Sequence, residues 1–280
     1  MSDRPTGWQV LRLEVWRLEV WRLASGCMAV ALGVLPVAAR PLTARDVTIK
    51  FHQAAAGAPV DFSNQDLSFL DLAGLDFKSA NLKNANLYGA DLSSADLSKV
   101  NLTGAKLDRA TLVRANFSGA NLQGATIMAP SVFSSAMIDH ADAPKFNDAN
   151  LRGARIAARL DGTDFRGADL SQARIGPNDR TSEAGMAPSS KMMGMNFSGA
   201  TMIGTDMREV DCTFCRFAGT TLMGAKFIHV DLSRADFSGA DMTDADLSGS
   251  NVDEANFSGV KGFDSVKGLQ TVKNLEKSQR

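Results

Sequence analysis

The sequence predicts an all-β solenoid, a chain wound into repeated coils, rather than a globular domain. Three observations support this fold class. Residues 60–129 form fourteen consecutive five-residue units with Leu, Phe or Ile at the third position of each. A second run of thirteen units fills residues 195–259. A unit of five residues is too short to bury its own apolar face, so neighbouring units must stack to make a core.

A period of five fits neither an α-helix nor a straight strand. Successive large residues would lie about 140° apart around a helix, and in a strand they would alternate between the two faces. The pattern is consistent if the chain turns once per unit. The large residue, here called the centre, then points inward together with the small residue two positions earlier, and the Asp or Asn between them points outward. The two residues after the centre, often Ser-Gly or Thr-Gly, form the corner.

These units resemble the pentapeptide-repeat family, whose pattern is A-(D/N)-L-x-x. Unmodified examples are Ala80-Asn81-Leu82, Ala90-Asp91-Leu92, Ala115-Asn116-Phe117, Ala235-Asp236-Phe237 and Ala245-Asp246-Leu247. The resemblance covers about residues 60–259, with breaks. It implies a right-handed quadrilateral β-helix with four units per coil, to which we add short N- and C-terminal caps.

The centres are the candidate core residues. If four units make a coil, every fourth centre stacks, and a ladder of phenylalanines follows one internal face. We interpret this ladder as filling of the interior rather than as a ligand site. The predicted structural core comprises Leu82, Leu87, Leu92, Leu97 and Phe117 in the first run, and Phe197, Phe217, Phe237 and Phe257 in the second.

The segments before the repeats are predicted to play separate roles. Residues 1–39 combine basic residues with an apolar run that ends in Val37-Ala38-Ala39, which is typical of a signal peptide. An uncleaved membrane anchor and a cytosolic apolar helix are the alternatives. Residues 40–59 are expected to cap the first coil, and the alternation of Val47, Ile49 and Phe51 within them predicts a short strand.

The repeat is interrupted in its middle and followed by a different pattern. Irregular insertions are expected at 130–143 and 176–194, and the units slip by one residue near Leu160. Insertions in solenoids emerge as loops, often on the binding side. Residues 260–280 space their apolar side chains by three, which predicts a short amphipathic helix as a C-terminal cap.

Arginines replace the outward acids in this interrupted middle. We consider them a candidate interaction patch for an acidic partner, the alternative being solvated, locally paired charges. The six residues of this patch are Arg152, Arg155, Arg159, Arg166, Arg174 and Arg180.

The remaining motifs do not indicate an active site or a metal site. The repeated acids are expected to form a solvated column, since the Gly-rich tracts of calcium-binding β-rolls are absent from the sequence. Cys212 and Cys215 fall on a centre and on the next small inward position, so burial as core filler is the first expectation. A disulfide and redox or metal chemistry are the alternatives. The histidines lie far apart without catalytic or zinc spacing. No catalytic residue, metal site or cofactor is therefore predicted.

The sequence therefore predicts an exported, non-enzymatic solenoid that acts as a protein-interaction or scaffolding surface in the periplasm or cell envelope. The expected partner is a protein that binds through the 130–194 region, and a homodimer is also compatible with the sequence. With 30 basic and 31 acidic residues, no nucleic acid partner is expected, and a membrane is involved only if the N-terminal segment is uncleaved. Some family members resemble duplex DNA and protect DNA gyrase, so the alternative is a cytoplasmic, DNA-mimicking regulator of that topoisomerase.

Overall fold

The computed structural model describes residues 41–54, 58–77, 80–134, 139–177 and 190–280. Contacts divide the chain into two units, residues 1–40 and 41–280, and the description below concerns the second. The predicted signal peptide or anchor at 1–39 lies outside the described residues.

Residues 41–280 form a parallel β-solenoid whose coils pair through their outward residues. Asp61 pairs with Asn81, and Asn81 pairs in turn with Asn101, so that the same position recurs after every four units. The backbone joins the coils in both directions: Phe62 N–H donates to the Asn81 carbonyl at 2.8 Å, and Asn81 N–H donates to the Val60 carbonyl at 2.9 Å. One coil of the regular run therefore contains four five-residue units.

Each unit closes with a tight turn and buries two side chains. Ala85 N–H donates to the carbonyl of the centre Leu82 at 3.0 Å, across a corner whose last residue, Asn84, has a φ of 55°. Leu82 and Ala85 are both fully buried. The period of five is thus one short extended segment plus one turn, and the tolerance of Gly and Asn for positive φ explains their frequency at this position.

Phenylalanine side chains stack along one internal side of the coil. Phe197, Phe217, Phe237 and Phe257 have ring centroids 5.0, 4.7 and 5.1 Å apart. The stack continues backward through Phe165, Phe146 and Phe117 at centroid distances of 5.4, 4.9 and 4.9 Å. The other predicted centres, Leu82, Leu87, Leu92 and Leu97, are fully buried.

Longer strands occur where one side of the coil extends beyond a single bridging residue. The first sheet is parallel in the order β1-β2-β3-β5-β7, and the second pairs β4 with β6. The strands are β1 Thr126–Met128, β2 Arg155–Ala157, β3 Arg174–Ile175, β4 Ser190–Lys191, β5 Asp206–Arg208, β6 Val210–Asp211 and β7 Lys226–Ile228.

The register between coils changes in the middle of the solenoid. Asn116 pairs with Lys145, a longer step than in the regular run, and the additional residues include the 3₁₀ helix His140–Asp142. Asn150 pairs with Asp169, a slightly shorter step, because one unit is a residue short before the centre Leu160. Asp164 pairs with Asn196, the longest step of the three. The parallel pairing survives every change.

The segment before the repeats is helical, so the predicted strand is wrong. Helix α1 spans Ala44–Gln53. Thr43 caps it, since its hydroxyl accepts the Asp46 N–H at 3.2 Å while the Asp46 carboxylate accepts the Thr43 N–H at 2.9 Å. Phe51 packs on Phe62 and Phe77 at centroid distances of 5.4 and 5.6 Å. No helix in the described part of the chain is long and apolar enough to cross a membrane.

The predicted C-terminal helix is also wrong, because residues 260–280 form a wider turn of the solenoid. Lys261, Lys267, Lys273 and Gln279 occupy successive outward bridging positions, each unit being longer by one residue than in the repeat. Each longer unit contains a 3₁₀ turn, at Phe263–Ser265, Leu269–Thr271 and Leu275–Lys277. An apolar spacing of three fits this six-residue unit as well as it fits a helix.

Candidate functional site

The outward Asp and Asn side chains of the repeat act first as hydrogen-bond acceptors for their own corner. Asp91 accepts the backbone N–H of Ser93 at 2.9 Å and the hydroxyl of the same residue at 2.6 Å. Asp231 makes the same backbone contact with Ser233 at 3.0 Å. The expected outward column is present, and in it Asp91 and Asp231 are half-buried. The repeated acids are explained by turn formation.

Asn side chains extend these contacts from coil to coil. Asn81 Nδ2 donates to Asp61 Oδ1 at 2.9 Å, and Asn101 Nδ2 donates to Asn81 Oδ1 at 2.9 Å. Asn256 donates to Asp236 at 3.0 Å in the same manner. Such contacts hold outward side chains in fixed columns over several coils.

Five of the six arginines proposed as an interaction patch lie in the described residues, and they differ in their contacts. Three pair with aspartates at N–O distances of 3.3 Å for Arg152–Asp169, 2.8 Å for Arg159–Asp161 and 2.7 Å for Arg166–Asp164. Arg180 lies outside the described residues. The structure brings the other two, Arg155 and Arg174, together, since their Cα atoms pair in register between β2 and β3.

Arg155 and Arg174 border a cleft of about 280 Å³, here called the arginine cleft. It lies across the strands of the first sheet, and sequence reasoning did not find it. Its principal lining residues are Met128, Arg155, Arg174, Gly176, Arg208 and Ile228.

The cleft exists because small residues interrupt a column of outward side chains. In a three-residue strand the first and third side chains share the outer face. The third position is Met128 in β1 and Arg208 in β5, but Ala157 in β2 and Gly176 directly after β3. Gly176 has a φ of 128°, and a Cβ there would lie 2.4 Å from the Arg208 carbonyl oxygen. A larger residue would therefore displace the backbone that forms the floor.

The charges at the cleft are mixed, with arginines in excess. Asp206 is engaged by Arg208, whose Nε lies 2.5 Å from its Oδ1. Glu209 lines the same opening. Within the described residues no carboxylate lies within ion-pair distance of Arg174, which is exposed. Three guanidinium groups thus face two carboxylates around one small opening.

Cys212 and Cys215 form a disulfide with a Cα–Cα distance of 5.4 Å. Both are fully buried, so the expectation of burial is confirmed, whereas the preferred interpretation as unbonded core filler is wrong. The bond spans one corner of one unit. Sγ of Cys215 also lies 3.0 Å from the Met192 carbonyl oxygen. A reduced thiol would donate a hydrogen bond there, but a disulfide sulfur has no proton to donate.

Histidine and carboxylate side chains do not converge on a metal site in the described residues. His52 belongs to α1, His140 begins a 3₁₀ helix and His229 lines the arginine cleft. No group of three or more His, Cys, Asp and Glu residues in the described segments could hold a metal ion.

Several aspartates have a pKa below their ordinary value because they accept hydrogen bonds in the ionised form. The Ser63 backbone N–H is the main cause for the lowered pKa of Asp61, and the Thr243 hydroxyl is the main cause for that of Asp241. Away from the regular corners, the Ser134 hydroxyl and N–H, with the Arg114 guanidinium, lower the pKa of Asp142.

Solved structures with similar coordinates are pentapeptide repeat proteins. HetL from Nostoc sp. strain PCC 7120, involved in heterocyst differentiation regulation, is 21% identical over 85% of this chain and 94% of its own, with a TM-score of 0.41. QnrB1, a plasmid-mediated fluoroquinolone resistance protein, is 17% identical over 77% and 91%, with a TM-score of 0.33. AT2G44920 from the Arabidopsis thaliana thylakoid lumen is 26% identical over 46% and 79%, with a TM-score of 0.26.

No curated protein sequence matches the chain. A family model of pentapeptide repeats matches it in eight copies, over residues 60–93, 95–128, 145–175, 194–222 and 222–259. These segments cover more than half of the 280 residues and coincide with the coils described above. The chain therefore belongs to the pentapeptide repeat family.

Proposed function

We propose that this protein is an exported, non-enzymatic solenoid that presents a protein-interaction or scaffolding surface in the cell envelope. The observation that carries the proposal is the fixing of outward side chains by hydrogen bonds, as in the column from Asp61 through Asn81 to Asn101. A surface that is already ordered loses little conformational entropy when a partner binds. The arginine cleft is a local departure from this ordered surface.

The finer architecture belongs to the same proposal. We infer that the four units of a coil make the four sides of a right-handed, quadrilateral β-helix. Helix α1 would cap the first coil, since Phe51 packs on Phe62 and Phe77, and the six-residue units after 260 would cap the last. Capped ends protect the solenoid from edge-to-edge pairing.

Export rests on two features. Residues 1–39 have the composition of a signal peptide, and the Cys212–Cys215 disulfide suits an oxidising compartment. The mass of the protein purified from the periplasmic fraction tests this directly. We expect loss of the N-terminal segment up to about Ala39, and an intact Met1 on a protein confined to the cytosol would overturn export.

The interaction surface is tested by cross-linking and co-purification from the native compartment. Wild type should retain a partner that a variant altered in the interrupted middle loses. A deletion for this purpose must stop at residue 189, because Ser190–Lys191 pairs as β4 and Met192 is a buried centre. Removal of 178–189 leaves both of these in place, whereas a longer deletion would remove a paired strand and a buried centre. Equal capture by both proteins would place the partner elsewhere.

The second candidate is a cytoplasmic, DNA-mimicking regulator of DNA gyrase. The observation in its favour is the outward register of Asp211 with Asp231. Arg216 occupies the equivalent outward position one unit further along the chain, so the acidic surface is not continuous. Supercoiling by purified gyrase, with and without the protein, separates the two candidates: inhibition or protection from a quinolone would support the mimic.

A further inference from the structure

We infer that the arginine cleft binds a carboxylate side chain from an acidic, apolar-flanked segment of a protein partner. This inference rests on the proposed function, because it names the chemistry of the partner that the surface would take.

The first reason is the register of the two arginines. Arg155 and Arg174 face one another on adjacent parallel strands, at the same position of two successive coils. Like charges opposite one another in a sheet are unfavourable. An oxyanion placed between two guanidinium groups removes that repulsion and accepts charge-assisted hydrogen bonds from both.

The second reason is that the corner of the repeat does not require arginine at these positions. At the same position of a regular unit, Asp91 accepts its corner N–H at 2.9 Å. Arginine has no acceptor and cannot serve this role. Ala154-Arg155-Ile156 and Ala173-Arg174-Ile175 nevertheless repeat one coil apart. Arginine therefore occupies the outward position in two successive coils beside the same opening, where the two preceding coils have Lys106 and Thr126.

The third reason is the shape of the cleft. Its volume of about 280 Å³ is small and suits one side chain rather than a cofactor. Gly176 lines the opening without a side chain, and Met128 and Ile228 supply apolar flanks. A glutamate between apolar residues matches both the charged and the apolar parts of this lining.

The apolar flanks of the opening favour a carboxylate side chain over free phosphate. Asp206 and Glu209 line the cleft together with the arginines, so the second charge of a phosphate is both attracted and repelled there. A phosphate would leave Met128 and Ile228 uncovered, whereas an acidic segment with apolar neighbours would cover them. Inorganic phosphate is therefore the discriminating competitor.

The binding experiment uses the full chain and a fluorescein-labelled, amidated pentapeptide with one glutamate between two leucines. We expect saturable binding in fluorescence anisotropy, and no saturation by the same peptide with glutamine. Arg155→Ala and Arg174→Ala should each weaken binding about tenfold or more, and Arg174→Glu should abolish it. Inorganic phosphate at equal ionic strength should not compete.

Arg216→Glu is the matched control. Arg216 is also an exposed arginine at the outward position of its unit, but it does not line the cleft. The Arg216→Glu variant should bind the peptide as wild type does. Circular dichroism should show that all variants keep the fold. Equal losses of peptide binding in Arg216→Glu and Arg174→Glu would show that only the net charge of the protein matters, which would overturn the inference. Saturable binding of the glutamine peptide, or displacement of the glutamate peptide by phosphate, would also overturn it.

The binding and co-purification experiments together distinguish failure of this inference from failure of the proposed function. If the native partner co-purifies equally with wild type and Arg174→Glu, the interaction surface stands and the role of the cleft is overturned. If the peptide binds as described but no protein is captured from the native compartment, the cleft is supported and the proposed function fails.

Discussion

The regular run of residues 60–129 and the interrupted middle of 130–194 share one core but differ in their surface. Within the regular run every bridge between coils takes the same step along the chain, as from Asp61 to Asn81. In the middle the step lengthens at Asn116–Lys145, shortens at Asn150–Asp169 and lengthens again at Asp164–Asn196. The inward positions continue unchanged through these steps, since the phenylalanines of the middle join the stack that begins in the regular run. The regular residues therefore build the fold, and the departures shape the surface.

The solenoid tolerates these departures because its contacts are mostly between neighbouring coils. Extra chain can leave at a corner and return without disturbing the next pair of bridges. The free energy of closing a loop rises only slowly with its length. The unit that is one residue short is accommodated in the same way, since the outward positions Asn150 and Asp169 still pair across it.

The largest expected effect tests whether the core is the same in both regions. Phe165→Ala removes a buried ring from the stack in the middle and Leu92→Ala removes a buried centre in the regular run. We expect losses of about 3–5 and about 2–5 kcal/mol in the free energy of unfolding, measured by urea denaturation.

Phe165→Leu is the control for this prediction, because Leu97 occupies the equivalent position two coils before Phe146. It should cost less than about 1.5 kcal/mol. A cost of Phe165→Ala below about 1 kcal/mol, well short of that for a buried aromatic ring, would show that the middle is packed differently from the regular run.

The centres could be predicted from the sequence, because a period of five forces a turn in each unit and assigns every position a direction. The two ends could not. Val47, Ile49 and Phe51 alternate, but the capping box of Thr43 and Asp46 was the stronger local signal and indicates a helix. After 260, the apolar residues are spaced equally well for a helix and for six-residue units, and only the pairing with earlier coils decides between them.

The second-largest effect concerns a departure inside a regular run, the Cys212–Cys215 disulfide. Closing a loop this short should stabilise the fold by about 2 kcal/mol on chain-entropy arguments. A reductant present during urea denaturation should therefore lower the stability of wild type. The double variant Cys212→Leu with Cys215→Ala restores the ordinary repeat pattern, so its stability should not respond to the reductant. A response in the double variant would mean that the reductant acts elsewhere.

A smaller effect compares one position in the two regions. Asp91→Ala removes the acceptor for the Ser93 N–H and hydroxyl and should cost about 1 kcal/mol. Asp91→Asn keeps an acceptor and should cost less. Arg174→Ala, at the same position of its unit, should change stability by no more than about 0.5 kcal/mol, because Arg174 supports no corner. Equal costs for Asp91→Ala and Arg174→Ala would contradict the division between fold and surface.

The arginine cleft could not be predicted from the sequence, although Arg155 and Arg174 were singled out. Its floor depends on Gly176 lying against the Arg208 backbone, and the sequence separates these residues by a coil of irregular length. The long step from Asp164 to Asn196 brings Arg208 beside Gly176. Spacing along the chain does not give that length, so arginines on different sides of the coil were grouped together.

The smallest expected effect is a pH dependence in the interrupted middle. The Asp142 carboxylate is buried and accepts the Ser134 N–H at 2.9 Å together with the Ser134 hydroxyl. Its Oδ1 lies 3.6 Å from Arg114 Nε. These contacts fix the residues before Lys145, and they hold the pKa of Asp142 below its ordinary value.

A carboxyl whose pKa is lower in the folded state stabilises the fold fully above its unfolded pKa and loses this contribution as the pH falls through the folded value. The stability difference between wild type and Asp142→Asn should therefore be constant from pH 7 to about pH 5 and shrink below about pH 4. Thermal unfolding midpoints of both proteins across this range give the measurement. A difference that grows on acidification would mean that protonated Asp142 is the stabilising form. In that case the hydrogen bonds from Ser134 to the Asp142 carboxylate would not be the contacts that stabilise this part of the interrupted middle.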